Sequence, residues 1–148
     1  MTELRELYQE LILDHSRSPR NFGPLPDATR HAEGFNPLCG DHYHLHARME
    51  GDRLAALRFE GAGCAISKAS ASLLTQALSG KTEAEARTLF EAFHALVTGA
   101  ARPAGDRLGK LAVFSGVSEF PARVKCAALA WHTLLALLDQ SDEAVTTE

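Results

Sequence analysis

Apolar positions recur along the chain with two different periods. Leu4, Leu7, Tyr8, Leu11 and Ile12 follow the i, i+3, i+4 spacing of an amphipathic helix with one buried face. That helix is expected to end between Asp14 and Ser18, because Pro19 disfavours helix in the residue before it. A Pro- and Gly-rich passage, Arg20 to Pro26, reads as an irregular surface segment, and residues 28–34 as a strand. The period then shortens to two. Tyr43, Leu45, Ala47 and Met49 alternate with His42, His44, His46 and Arg48, the pattern of a half-buried strand. Glu50-Gly51-Asp52 reads as a turn, and Leu54 to Glu60 as a further strand with Ala55, Leu57 and Phe59 on one face.

Beyond Gly61-Ala62-Gly63 the helical period returns. Residues Ala65 to Leu78 are rich in Ala, Ser and Leu and stop before Gly80, a favoured residue just past a helix end. Thr82-x-x-Glu85 is a capping box, opening a helix that carries Leu89, Phe90, Phe93, Leu96 and Val97 and ends at Gly99. Arg102 to Gly105 reads as a loop, Leu108 to Phe114 as a short helix and Gly116 to Phe120 as a connector. Pro121 suits the first turn of a last helix bearing Cys126, Leu129, Trp131, Leu134, Leu135 and Leu138. The tail from Ser141 is polar and expected to fray. There is no internal repeat. The order predicts a single α+β domain over residues 1–148, with a small three-stranded antiparallel sheet packed against about five helices.

Composition narrows the function. At 148 residues and 45% apolar content the chain can bury a real core. Its 15 Lys and Arg against 19 Asp and Glu give a net charge of −4, which argues against nucleic acid as a partner. No apolar run approaches the roughly 18 residues of a membrane span, and the first ten residues are charged, so no membrane association and a cytoplasmic location are expected. Three cysteines are an odd number for a disulfide framework, which points instead to thiol chemistry or metal binding.

Those cysteines stand in suggestive places. In Asn36-Pro37-Leu38-Cys39-Gly40-Asp41 an extended backbone would aim Cys39 and Asp41 to one side, with Gly40 leaving the approach uncrowded. Cys64 falls where glycines end a strand and a helix begins, so unpaired N–H groups there favour its thiolate. Cys126 sits early in the last helix beside Lys125 and one turn from Arg123, positive charges that also favour thiolate. With Asp41 the three offer the three-sulfur, one-oxygen donor set that zinc accepts. No C-x-x-C pair exists, so spacing alone leaves unrelated core cysteines equally open.

His42, His44 and His46 are rival ligands. If the strand runs through Asp41, parity puts Cys39 and Asp41 in phase with Tyr43 and Leu45, and the histidines on the opposite face. A solvated histidine face is then favoured over a second metal site, unless a bulge follows Asp41. His15, His31, His94 and His132 have no local context that makes them ligands. Ser67, Ser70 and Ser72 lack the setting of a hydrolase nucleophile, and Gly61-Ala62-Gly63 fits neither phosphate-binding glycine motif.

Three motifs taken together carry a resemblance: Asn36-Pro37-Leu38-Cys39-Gly40-Asp41, Gly61-Ala62-Gly63-Cys64-Ala65-Ile66-Ser67 and Phe120-Pro121-Ala122-Arg123-Val124-Lys125-Cys126. In this order the chain resembles the IscU/SufU family of iron–sulfur cluster assembly proteins, from its first helix to its last. The resemblance implies that Cys39, Asp41, Cys64 and Cys126 bind the metal and that the cysteines bind a cluster. Lys125 stands where scaffold IscU has a histidine, Phe120 to Lys125 replaces its chaperone-recognition segment, and the Cys64–Cys126 interval is longer. These departures resemble the zinc-containing SufU branch, which implies Zn2+ as cofactor, a cysteine desulfurase of the SufS/IscS type as partner, and downstream cluster-assembly proteins as recipients.

The expected activity is sulfurtransferase-like: zinc-dependent acceptance of persulfide sulfur, with docking freeing one thiolate for attack. Cys39 is the expected carrier because its loop is glycine-flanked, and Arg123 is a candidate for holding the anionic persulfide or orienting the partner. The alternatives are a scaffold on which a transient [2Fe–2S] cluster is assembled from iron on the same four residues, and a structural zinc domain.

Overall fold

The computed structural model describes residues 2–100, 108–141 and 144–146. Four α-helices, α1 (Thr2–Arg17), α2 (Ala65–Leu78), α3 (Glu83–Thr98) and α4 (Pro121–Leu138), accompany a sheet of β1 (Arg30–Asn36), β2 (Asp41–Glu50), β3 (Arg53–Ala62) and β4 (Val145–Thr146). The expected short helix is a 3-10 helix over Gly109–Phe114, and a second, three-residue one lies at Val117–Glu119. The Arg102–Gly105 loop expected from sequence lies outside the described residues.

The α+β class holds, with a correction to the sheet. It has four strands in the order β3-β2-β1-β4, and β4 runs parallel to β1. The tail expected to fray therefore pairs Val145 and Thr146 with Gly34 and Phe35. A two-residue strand is invisible to periodicity, because only the neighbouring backbone makes it one. The β2–β3 ladder shifts register between Arg48 and Met49, which leaves Ala55 without a partner. That bulge turns Leu54 into the core in place of the expected Ala55, while Leu57 and Phe59 stay buried as read. No bulge follows Asp41: the pairing of β2 is continuous from Asp41 to Arg48.

Helices α2 and α4 cover one face of the sheet, against Tyr43, Leu45, Ala47, Leu57 and Phe59. The approach is close at Gly34, where a β-carbon would come within 2.1 Å of Thr133 Oγ1 on α4. Trp131 is wholly buried as expected, stacked on Phe93 with ring centroids 4.5 Å apart, and Phe93 meets Phe114 edge-on. The capping box at Thr82 and Glu85 forms, and α3 ends at Gly99. Helix α1 packs Tyr8, Leu11 and Ile12 onto the core, but Leu7 stands 61% exposed. Among the described residues α1 packs mainly against α2 and the 3-10 helix over Gly109–Phe114. The Pro/Gly passage is not loose on the surface: Gly23 N–H donates to Phe59 O and Phe59 N–H to Asn21 O, closing the free edge of β3. Among the described residues no helix is long and apolar enough to cross a membrane.

Candidate metal centre

The β1–β2 hairpin supplies the first two donors. Asn36 and Asp41 face each other across it, and residues 37–40 form the turn. Asn36 is buried and organises that turn: its carbonyl accepts from the N–H groups of Cys39 (3.2 Å) and Gly40 (2.8 Å), and its side-chain oxygen accepts from Leu38 N–H (3.1 Å). Its Nδ2 donates to Cys39 Sγ at 3.6 Å. Gly40 adopts φ +76°, while a β-carbon there would meet nothing within 4 Å. The glycine is needed for the left-handed turn, not to clear an approach as its sequence setting suggested. Cys39 is thus in a turn and not on extended backbone, yet it still converges on Asp41: ligand atoms of Cys39, Asp41 and Cys126 lie within 4.8 Å of one another. Cys39 itself is exposed.

Cys64 caps α2. Its backbone is extended, and its Sγ accepts from Ser67 N–H at 3.4 Å, the helix-start position expected from sequence. Its own N–H donates to Asp41 Oδ1 at 2.9 Å, locking the carboxylate to the start of the helix. Ser67 Oγ donates to Cys64 O and meets the Tyr43 hydroxyl at 2.8 Å. Burial pushes the Tyr43 phenol well above its ordinary range, so it remains a protonated donor, although the bond to Ser67 pulls the other way. Gly63 closes this arrangement: a β-carbon there would stand 2.5 Å from Asp41 Oδ1 and 2.6 Å from both Ser67 Oγ and Tyr43 Oη.

Cys126 lies in the second turn of α4, buried, with Sγ 3.6 Å from Cys39 Sγ. The expectation of an easily formed thiolate does not hold there. Burial comes first in pushing its thiol up, followed by the bond from Cys39 and the proximity of Cys64 and Asp41. Arg123 is exposed and lies over the Phe120 ring, 4.4 Å from its centroid. It therefore covers an aromatic surface.

The donors fit a thiophilic divalent cation. Asp41 is 1% exposed, and its Oδ2 has no hydrogen-bond partner among the described residues. A buried carboxylate oxygen left unmet is costly unless a charge meets it. Beside it stand two thiols, with a third on the residue that holds its other oxygen. Three sulfurs and one oxygen suit zinc in four-fold coordination. Sequence reading missed how much Asn36, Tyr43, Gly63 and Ser67 contribute. Only Ser67 left a usable signal, since its place three residues after Cys64 is the capping spacing.

Three cysteines and a half-satisfied buried aspartate, gathered at one end of a helix-backed sheet, define a protein built around a candidate thiolate–carboxylate centre. The chain belongs to the NifU-like N-terminal domain family, whose description matches residues 7–127, and within it to the IscU/SufU proteins that its three motifs resemble. It is 41% identical over 131 residues to the zinc-dependent sulfurtransferase SufU of Bacillus subtilis, covering 88% of each chain. It is 37% identical over 144 residues to the iron–sulfur cluster assembly scaffold protein IscU of Streptococcus pyogenes, covering 97% of this chain and 90% of that one. A crystal structure of FiSufU from Fervidobacterium islandicum, described as an iron–sulfur cluster assembly scaffold protein for the SUF system, superposes with a TM-score of 0.83 at 34% identity, over 90% of this chain and 97% of that one.

Proposed function

We propose that the chain serves iron–sulfur cluster assembly as a zinc-dependent acceptor of persulfide sulfur from a cysteine desulfurase. The observation that carries this reading is the position of Cys39: exposed at a hairpin turn, yet 3.6 Å from the buried Cys126 sulfur and within reach of Asp41. Cys39 thus belongs both to the surface and to the centre, whereas Cys64, also exposed, is held at the start of α2 by its bond from Ser67 N–H. Cys39, Asp41, Cys64 and Cys126 would hold zinc, which when bound keeps the thiols deprotonated and guarded from oxidation.

In the transfer step the Cys39 thiolate attacks the terminal sulfur of the desulfurase persulfide. A new sulfur–sulfur bond forms on Cys39 as the old one breaks, and the desulfurase cysteine leaves as a thiolate. No external oxidant or reductant is needed. Exposed Leu38 beside Cys39, and exposed Phe120 under Arg123 at the start of α4, offer apolar surface on the segments that carry two of the thiols. Arg123, lying over that ring, would orient the partner there.

The IscU relative supports a second reading, a scaffold that assembles a [2Fe–2S] cluster on the same four residues. Lys125, standing directly before Cys126, and the higher identity to SufU favour the first. Mixing the protein with its cysteine desulfurase and free cysteine tests it. Turnover should rise, and Cys39 should gain the mass of one sulfur. No stimulation, or full activity from Cys39→Ala, would sink the acceptor reading, and a stable [2Fe–2S] spectrum after anaerobic reconstitution would favour the scaffold.

A further inference from the structure

We propose that Glu33, His42 and His44 form a second metal site on the open face of the sheet, one that takes a divalent cation of the zinc, cobalt and nickel class. Strand parity sends His42 and His44 out on the side of β2 opposite Asp41 and Tyr43. Glu33 on β1 pairs directly with His44 across the ladder. Its Oε2 is bonded to His42 Nε2 and lies 3.6 Å from His44 Nε2. One carboxylate oxygen therefore gathers two ring nitrogens, and all three ligand atoms fall within 4.8 Å of one another. Ligands about 2.1 Å from a tetrahedral zinc ion stand roughly 3.4 Å apart, close to the 3.6 Å between Glu33 and His44, while the hydrogen-bonded His42 ring must move outward to admit the ion.

The rings are prepared for this. His42 and His44 have centroids 5.0 Å apart, and His44 stacks on His46 with planes 7° from parallel. The side chains of His42, His44 and Glu33 are 50%, 46% and 41% exposed, so an ion can enter and keep water in its remaining positions. The neighbouring groups do not make an equivalent site. His46 spends Nε2 on Glu60 at 2.9 Å and Nδ1 on His31 at 2.8 Å, so its two partners lie off opposite edges of the ring. Two imidazoles and a carboxylate suit borderline cations, whereas the thiolate-rich centre across the strand selects softer binding. The two sites are thus chemically separable and do not depend on each other.

The test uses the full, untagged chain, first saturated with Zn2+ at the cysteines and then titrated with Co2+. The expected result is uptake of one further ion showing visible d–d bands without thiolate-to-cobalt charge transfer. Glu33→Gln and His42→Gln should each lose that ion and keep the first zinc, while the His31→Gln/His46→Gln double variant should keep both. In the unaltered chain, excess Zn2+ should move the ring resonances of His42 and His44 together, which serves if a variant folds poorly. Absence of the extra ion, charge-transfer bands on its uptake, retention by the Glu33 and His42 variants, or unmoved His42 and His44 resonances would each overturn the assignment.

Discussion

The two faces of β2 are built from alternating residues of one strand, yet they solve opposite problems. On the inner face Asp41 is buried with one oxygen unmet, beside a Cys126 thiol that burial keeps from ionising. On the outer face the polar groups already have partners: His42 with Glu33, His46 with Glu60 and with His31. A cation on the inner face relieves a deficit that folding created. One on the outer face must displace protons, water and existing hydrogen bonds. The first should bind tightly and hold the fold together, and the second should exchange and leave the fold indifferent.

Metal removal probes that difference most strongly. With zinc at about a thousand times its dissociation constant, binding to the folded state alone stabilises by about 4 kcal/mol. Stripping the inner centre with a chelator should therefore lower the melting temperature by roughly 10 °C in a chain of this size. A change within the error of the melt would show that the inner face does not depend on metal. Gly63→Ala attacks the same face without replacing a ligand. Its methyl group would press on Asp41, Ser67 and Tyr43, at about 1–3 kcal/mol of stability, and zinc uptake should fall with it. Gly116→Ala, with open space around its β-carbon and a right-handed backbone, is the matched control and should be neutral or slightly stabilising in urea unfolding.

Much of this contrast was readable before any coordinates, because strand parity is a strong constraint: one slipped residue would send Tyr43 and Leu45 into water. Parity placed Asp41 inward and His42 outward, and the helix-start logic placed Cys64. Contacts that join distant segments left weaker traces. The bulge at Ala55 and the strand at Val145 depend on neighbouring backbone, which the local pattern does not encode. The cost of burying Cys126 was hidden because Arg123 and Lys125 suggested a positive setting, whereas burial, then the nearby Cys39 and Cys64 and last Asp41, control that thiol. Glu33 gained meaning only once register set it opposite His44.

Acid sharpens the comparison through histidines away from the open face. His15 is buried with Nδ1 2.7 Å from Ser72 Oγ, and burial lowers its pKa below the ordinary 6.5, with Arg20 and Lys110 adding to the effect and Asp14 opposing it. His132, beside His94, is lowered for the same first reason. In both cases the unfolded chain binds the proton more readily, so stability rises with pH through this range. No penalty applies above pH 6.5, and stability should fall progressively as the pH drops below it. Urea midpoints of metal-free protein measured down to pH 5 should show this slope, and His15→Gln should flatten it. An unchanged slope in that variant would remove His15 from the account.

The smallest expected effect is the most direct check on the outer face. Glu60→Gln removes the charge facing His46 while keeping an oxygen that can accept from its ring. The Glu60 side chain is 43% exposed, although the His46 ring is only 13% exposed, and a pair with its carboxylate open to solvent contributes little once side-chain ordering and screening are counted. Its urea midpoint should therefore move by less than about 0.5 kcal/mol in stability. A loss well beyond that would mean the histidine ladder braces the sheet, and the division between a face that needs its ion and a face that only offers a site would fail.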